Sequence, residues 1–432
     1  MNPLTISSIL HSRLAARSLA GHFLSLNAHL TRLSRLPKHP AFARVAWLDQ
    51  LRFLTGGVQP VDDASRQRAH AAAEWLIRAW EATPDNGVSM GYFPCNPRED
   101  MGAANGWRSS DPETTGTIMI SLLNYAIRFS DALMRERVLA MAHWEADLQR
   151  VSGAIQRGLV TTLEPQQSEI FNTGLVLNGF AALLKFEPDP RIEEAASRAA
   201  DFLVSHLGED GHFRQLDPFA HHQPVKSYNV LCAWGLYLLG RLLNLSNHQQ
   251  AALRLAYATQ SLQMPNGWFL HNCPEREDAP TTHSIGYTLQ GLLETGIASE
   301  DSTLIESARR GMLPMIDVIE SNGFLPGRFH ADWTPASFGA SLTGSALLSV
   351  VCFRLYQALG DTTFLEAGHR LVDLLKGLQV LNALNSPMRG ALAGSFPLFF
   401  GEYQPAGFPS RATQYLLDAL LLQDRIVEEQ LG

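Results

Sequence analysis

The chain has 432 residues, which is longer than a single compact core usually supports, so it contains either several domains or a large architecture built from repeats. Its 46% hydrophobic and 18% charged residues exclude a disordered chain, and its net charge of −8 argues against general nucleic-acid binding. Four widely spaced cysteines without a CxxC pair are unlike a disulfide framework or a structural zinc site and favour a reducing compartment.

The first 48 residues are basic, with six arginines and lysines and no acidic residue. Apolar residues recur at helical intervals in SSILHSRLAARSLAGHFLSLNAHLTRL, which predicts a helix or helical pair packed on the rest of the protein. The alternative is peripheral contact of residues 1–48 with an anionic membrane. We find neither an apolar run of membrane-spanning length nor a secretory signal, which predicts a cytoplasmic protein. The predicted domains are a basic helical extension at 1–60 and a main domain at 61–432.

In the main domain, a helix with one polar face is repeatedly followed by a turn and then by a much more apolar helix. The turns combine glycine with aromatic or apolar residues, as in NGVSMGYFPCN, EDGHFRQL, MPNGWFLHN and SNGFLPGRF. The apolar helices begin near residues 114, 171, 226, 282, 341 and 411, at spacings of 55 to 70 residues. So regular a period predicts a repeat architecture with one helix–turn–helix per unit.

The alternation of helix types predicts how the units are arranged. Helices with one polar face belong on an outer ring, and helices that are apolar almost all round belong inside it. We therefore predict an all-α fold, an (α/α)6 double-ringed toroid of six helical hairpins; an open solenoid, the alternative, would normally show polar capping repeats. The six turns then lie at one end of the toroid with the N-termini of the inner helices, which favour anionic groups.

These repeats resemble the (α/α)6 six-hairpin toroid superfamily, which includes glycoside hydrolases, polysaccharide lyases and sugar epimerases. The segments FNTGLVLNGF, THSIGYTLQGLLETG, SLTGSALLSVVCFRLYQALGD and GALAGSFPLFFGEYQPAGFPSRATQYLLDALL are similar to uncharacterised bacterial proteins associated with exopolysaccharide genes. The resemblance covers about residues 65–425 and implies a carbohydrate-active protein. QMPNGW also partly resembles a repeat of terpenoid cyclases, but the acidic DxDD or DDxxD motif of those enzymes is absent.

The candidate site residues are those that the repeat pattern brings to the end with the turns. The candidate catalytic residues are His283, Tyr287, Tyr228, Asp332 and Glu113. The candidate substrate-binding residues are Trp107, Asn172, Trp268, His271, Asn272, Arg328, His330, Trp333, Tyr403 and Arg411. Each aromatic residue can equally pack in the core of a loop, and Glu113 can be a first-turn charge favoured by the helix dipole.

This mixture of residues predicts chemistry on an acidic, uronate-containing glycan or glycan precursor. A lyase or C5-epimerase needs a base such as histidine or tyrosine and a cation or amide to stabilise the charge that develops. Two alternatives stay open: a glycoside hydrolase with paired carboxylates, and a non-catalytic glycan-binding or assembly protein of a polysaccharide biosynthesis system. Without a nucleotide-binding loop or a persuasive metal-ligand spacing, we predict no cofactor. We predict a monomer or small homo-oligomer with no nucleic-acid partner.

Overall fold

The computed structural model describes most of the main domain and part of the N-terminal extension. The described residues are 34–55, 58, 61, 65–95, 106–160, 168–214, 223–273, 276–381, 386–399, 401 and 403–431. The helix expected within residues 1–33 lies outside them, as does that part of the segment 1–48 for which membrane contact is predicted.

The described residues form thirteen α-helices and six two-residue strands. The helices are α1 (Pro40–Thr55), α2 (Ser65–Glu81), α3 (Pro112–Phe129), α4 (Ala132–Leu148), α5 (Ile170–Phe186), α6 (Pro190–His206), α7 (Leu231–Leu242), α8 (Ser246–Gln260), α9 (Thr282–Ser299), α10 (Ser302–Asn322), α11 (Leu342–Leu359), α12 (Thr362–Leu378) and α13 (Ser410–Leu431). The strands are β1 (Gly91–Tyr92), β2 (Ile155–Gln156), β3 (Ser168–Glu169), β4 (Ala340–Ser341), β5 (Ser395–Phe396) and β6 (Phe408–Pro409). They pair antiparallel as β1 with β6, β2 with β3, and β4 with β5. Short 3₁₀ helices occupy Leu36–Lys38 and Ser227–Val230.

The odd-numbered helices from α3 to α13 form a closed inner ring. Each packs against the next, and α13 returns to pack against α3. The even-numbered helices form the outer ring, in which α4, α6, α8, α10 and α12 each pack on the inner helix before them and α2 packs on α13. The predicted double-ringed toroid is therefore confirmed, and contact between the first and last units excludes the open solenoid.

The two rings differ in how much of each helix is buried. In outer helix α6, buried side chains such as Ile192, Ala195 and Ala199 follow one face, whereas in inner helix α5 nearly every residue is buried. Helix α11 is the one described helix long and apolar enough to span a membrane, but 72% of it is buried inside the ring. Its apolar composition therefore follows from its place in the core.

Aspartates set the start of outer helices after the tight connections. The side chains of Asp131, Asp189, Asp301 and Asp361 accept hydrogen bonds from first-turn backbone N–H groups of α4, α6, α10 and α12. The connections from an outer to the next inner helix are longer. They emerge with the N-termini of the inner helices, at what we call the loop end.

The Asn266-Gly267 turn shows why these longer connections need glycine. Gly267 has a φ of +86°, and a Cβ atom there would collide with the backbone of Arg310 in the next outer helix. Gln263 spans the same junction, because its Nε2 donates to the carbonyls of Gly267 at 3.2 Å and Ser307 at 2.8 Å. The turn therefore joins neighbouring outer helices as well as connecting two elements.

Candidate functional site

At the loop end, Arg411 lies among side chains from three inner helices. Its guanidinium donates to Glu113 Oε1 at 2.5 Å, to the Tyr287 hydroxyl oxygen at 3.0 Å and to the Tyr415 hydroxyl oxygen at 3.5 Å. Arg411 is only 5% exposed, whereas the Glu113 side chain is 30% exposed. We call Arg411, Glu113, Tyr287, His283 and Tyr403 the Arg411 cluster.

Local structure brings the first turns of α3 and α13 together. Gly91 in β1 pairs with Pro409 in β6, so the chain before α13 is held against the chain that leads to α3. One turn further on, the hydroxyl of Thr117 donates to Gln414 Oε1 at 3.0 Å and ties the two helices. Glu113 and Arg411 therefore meet although 298 residues separate them.

His283, in the first turn of α9, lies between two tyrosine rings. Its ring centroid is 4.0 Å from that of Tyr403 and 5.5 Å from that of Tyr287. Its Nδ1 is buried and has no hydrogen-bond partner among the described residues. Burial, followed by the positive charges of Arg411 and Arg328, lowers the pKa of His283 to about 3. The imidazole is therefore neutral near pH 7, and its buried Nδ1 forms no hydrogen bond within the described residues.

The tyrosines of the site keep their protons. Burial raises the pKa of Tyr287 and Tyr403 well above the ordinary value, and it raises that of Tyr415 to about 12. These hydroxyls can donate hydrogen bonds to an anionic group or return a proton to a substrate. They cannot readily act as phenolate bases.

A second carboxyl group lies beside Glu113. Asp111 is the N-cap residue of α3, and its Oδ2 accepts a hydrogen bond from the Thr114 hydroxyl at 2.5 Å. Burial, and then the charge of Glu113, raise the pKa of Asp111 to about 6. The start of α3 therefore carries a carboxyl group with a pKa of about 6 and a carboxylate paired with a guanidinium.

Behind this turn, Glu145 of α4 is completely buried, and both of its carboxylate oxygens lack a hydrogen-bond partner within the described residues. Burial, followed by the charges of Asp111 and Asp85, raises the pKa of Glu145 well above its ordinary value. Sequence reasoning missed this residue, because a glutamate in an outer helix is normally expected on the solvent-facing side.

We expect Glu145→Met to stabilise the protein by about 1–3 kcal/mol, because it replaces an unpaired buried acid with an apolar side chain of similar size. Between the ordinary and the raised pKa, the folded state binds more protons than the unfolded state, so Glu145 lowers the free energy of unfolding as the pH rises. The gain should therefore be larger at about pH 8 than at about pH 5. Urea unfolding at both pH values measures it, with the exposed Glu194→Met as the matched control. An equal or smaller gain at the higher pH would contradict this account.

Other predicted residues lie near the Arg411 cluster. Arg328 lies opposite Thr281, the residue before α9, and donates to the Ala279 carbonyl at 2.8 Å. Tyr228 contacts the cluster through Phe171. The ring centroid of Phe171 is 5.2 Å from that of Tyr228 and 5.4 Å from that of Tyr287.

Several predicted aromatic residues pack inside the loops. Trp268 is 4% exposed, and its ring lies 5.1 Å from that of Trp333, whose Nε1 donates to the Asn266 carbonyl at 2.9 Å. Trp107 packs 5.3 Å from both Trp75 and Tyr92. These contacts favour the packing alternative over exposed platforms for sugar rings.

The predicted amides are engaged within the protein. Asn172 Nδ2 donates to the Gln156 carbonyl at 3.1 Å, and Asn272 Oδ1 accepts from the Thr288 hydroxyl at 2.8 Å. Both residues are buried. Their hydrogen bonds hold connections against inner helices.

Three further candidate residues form their hydrogen bonds and ion pairs with residues outside the Arg411 cluster. His271 lies 2.9 Å from the Gln223 amide nitrogen and 3.5 Å from Glu277. His330 and Asp332 are exposed in one turn, where Asp332 Oδ1 accepts from the backbone and hydroxyl of Thr334 at 3.0 and 2.6 Å. Asp332 thus stabilises its own turn.

A separate cavity of about 570 Å³ lies along the axis of the inner ring, beyond the Arg411 cluster. It extends to the C-terminal ends of the inner helices, where Phe186 is exposed. Tyr415 lines it and also contacts Arg411, so this one residue borders both regions. Asp418 lies in its wall, accepts a hydrogen bond from Ser121 at 2.9 Å and has its pKa raised to about 7 by burial.

Solved structures with this architecture confirm the fold. An unsaturated glucuronyl hydrolase specific for heparin is 15% identical, with a TM-score of 0.65 over 85% of this chain and 99% of its own. The unsaturated glucuronyl hydrolase from Bacillus sp. GL1 is also 15% identical, with a TM-score of 0.65 over 84% of this chain and 97% of its own. Cellobiose 2-epimerase from Spirochaeta thermophila is 12% identical, with a TM-score of 0.65 over 85% of this chain and 98% of its own. No protein-family model and no curated protein matches the sequence. At these identities the similarity defines a class by fold, the (α/α)6 toroids.

Proposed function

We propose that the chain is a carbohydrate-active enzyme that abstracts a proton next to the carboxylate of a uronate in an acidic glycan or glycan precursor. The observation that carries the proposal is His283, a neutral imidazole with a buried, unpartnered Nδ1 beside the cations Arg411 and Arg328. A general base has to hold a free lone pair at the operating pH and accepts a proton best when its pKa lies near that pH, so the carboxylate of the bound uronate has to raise the pKa of His283 from its low value. The cations favour the negative charge that develops on the substrate.

In this mechanism His283 takes the C5 proton of the uronate. Arg328 and Arg411 stabilise the enolate-like charge on the carboxyl group, and the protonated Tyr287 or Tyr403 donates a proton in the second half of the reaction. If the group at C4 departs with the electron pair, a double bond forms and the enzyme is a lyase. If C5 is reprotonated from the opposite face, it is a C5-epimerase.

The structures with the same fold support a sugar substrate. They include hydrolases named for unsaturated glucuronyl groups and an epimerase named for cellobiose. An acidic sugar suits a site that contains two arginines near a neutral base. The enzyme's compartment and its association with exopolysaccharide synthesis stay predictions.

Glycoside hydrolysis is the second candidate, and the first turn of α3 favours it. Asp111, with a pKa of about 6, can serve as a general acid, and the neighbouring Glu113 is a carboxylate paired with Arg411. The proposed site does not include Asp332, since that carboxylate caps an exposed turn.

The reaction types separate when uronate oligosaccharides are incubated in heavy water. An epimerase incorporates deuterium at C5 without cleaving the chain, a lyase cleaves it and forms an unsaturated uronate, and a hydrolase cleaves it by adding water and forms saturated fragments. Mass spectrometry distinguishes the three. Oligosaccharide binding without any of these products would instead support the non-catalytic alternative.

We expect His283→Gln to reduce turnover in this assay by about 10²–10⁴-fold, because it removes the base but preserves a polar side chain of similar size. His206→Gln, at an exposed position near the end of α6, is the matched control and should leave turnover within twofold. Full activity of a folded His283→Gln protein would exclude His283 as the base. Hydrolytic products with this variant would transfer the assignment to Asp111 and Glu113.

A further inference from the structure

Helix α1 exposes its apolar side to solvent. Trp47 and Leu54 are 66% and 73% exposed, and Leu48 and Leu51 are also exposed. At 100° per residue, Trp47, Leu51 and Leu54 follow one stripe of the helix. An exposed stripe of large apolar residues marks a surface that binds something. We call Trp47, Leu48, Leu51 and Leu54 the α1 face.

The helix is firmly attached to the protein by its other side. Phe42 is buried against Phe399, with ring centroids 6.0 Å apart, and Asp49 Oδ2 accepts a hydrogen bond from the Leu398 N–H at 2.5 Å. The outward direction of the α1 face is therefore set by specific packing. Phe53 extends the apolar surface, since its ring packs 5.1 Å from that of Phe338, which is 81% exposed.

The exposed charges on residues 34–55, which contain helix α1, are positive, although the whole chain is acidic. Lys38, Arg44 and Arg52 are exposed on this segment. Its one acidic residue, Asp49, is turned inward, and burial raises its pKa to about 7. Apolar side chains, a tryptophan and surrounding cations together match the interface of an anionic lipid bilayer.

Helix α1 lies beside the candidate site. Helix α1 packs on the segment between β5 and β6, and this segment contributes Tyr403 to the Arg411 cluster. A bilayer that binds the α1 face would therefore lie next to the loop end, the end of the toroid that carries the Arg411 cluster.

We propose that the α1 face docks the protein on an anionic membrane surface, so that the loop end takes glycans carried on membrane lipids. The lipid-linked substrate rests on the proposed function and names its substrate class. Docking itself needs no substrate and is measured separately.

Vesicle co-sedimentation of the full chain tests the docking. We expect binding to vesicles of phosphatidylcholine and phosphatidylglycerol in equal parts, weak binding to phosphatidylcholine alone, and loss of binding as salt rises to about 0.5 M. The double variant Trp47→Ala/Leu54→Ala should weaken binding at least ~tenfold, because it removes apolar area that enters the interface. The double variant Leu133→Ala/Val151→Ala, exposed apolar residues elsewhere, is the matched control.

Brominated lipids locate the contact. They should quench part of the tryptophan fluorescence, and Trp47→Phe should abolish that part of the quenching. If residues 1–33 or a second copy of the chain occupied the α1 face, the α1 double variant would change protease sensitivity or oligomeric state and leave vesicle binding intact. That result would overturn the proposal, as would equal binding to both kinds of vesicle.

Turnover of a glucuronate-bearing glycolipid in anionic vesicles, compared with its free headgroup oligosaccharide, tests the substrate class. We expect a kcat/KM at least ~tenfold higher on vesicles, with the difference abolished by Trp47→Ala/Leu54→Ala. Turnover without this advantage would refute the lipid-linked substrate and leave the enzyme function standing. Vesicle binding without turnover of either substrate would refute the function and leave the docking standing.

Discussion

Arg411→Met should reduce kcat/KM on the uronate substrate by about 10²–10³-fold, the usual cost of removing one preorganised group that stabilises developing charge. Arg411 is buried and is oriented by Glu113 and by the hydroxyl groups of Tyr287 and Tyr415, so it meets the substrate without reorganisation. Methionine preserves much of the apolar stem of arginine and removes the charge. Steady-state kinetics on the substrate identified in the heavy-water assay measure the loss.

The control for this experiment lies on the same helix. Arg425 is exposed in α13 and forms no ion pair among the described residues, so Arg425→Met should leave kcat/KM within twofold. Circular dichroism and the Tm of both variants report whether they fold. An Arg411→Met protein that folds and keeps its full kcat/KM would show that the Arg411 cluster is structural.

Glu113 gives this assignment a second readout. If Glu113 acts by orienting Arg411, Glu113→Gln should lower kcat/KM much less in the Arg411→Met background than in the wild-type protein, because the two residues act through one interaction. If Glu113 takes part directly in hydrolysis, its loss should remain large in both backgrounds. The double-mutant cycle therefore separates positioning from direct participation.

Trp268→Ala should lower the free energy of unfolding by about 3–5 kcal/mol, the usual cost of truncating a large buried aromatic side chain. The indole is 4% exposed and packs edge-on against Trp333 at 5.1 Å between neighbouring outer-ring units. Urea unfolding measures the loss. Trp47→Ala, at a 66% exposed position, should change stability by no more than about 0.5 kcal/mol.

This comparison decides between the two interpretations of the loop aromatics. A platform for sugar rings has to be exposed, so its truncation would weaken oligosaccharide binding with little change in stability. Truncation of a packing residue would instead lower the free energy of unfolding with little effect on oligosaccharide binding. If Trp268→Ala left the free energy of unfolding unchanged and raised the Kd for oligosaccharide, the aromatic would belong to a binding surface.

Local patterns were enough to predict the helices and the architecture. Inner helices expected near 171, 282 and 411 begin at Ile170, Thr282 and Ser410. The accuracy has a physical cause: helical periodicity, capping residues and the glycine turns all act over a few residues, and the repeat multiplies the signal six times. The third inner helix differs, because a 3₁₀ turn at Ser227–Val230 precedes α7.

The amino-acid sequence alone therefore predicts the toroid and the set of polar residues at its loop end. Which of those residues meet was decided by the tertiary structure alone, because Glu113 and Arg411 become neighbours only when α13 closes the ring on α3. The same closure decides burial. A tryptophan after a glycine turn has the same local pattern whether it faces solvent or the next repeat, and only the packing of outer helices buries Trp268.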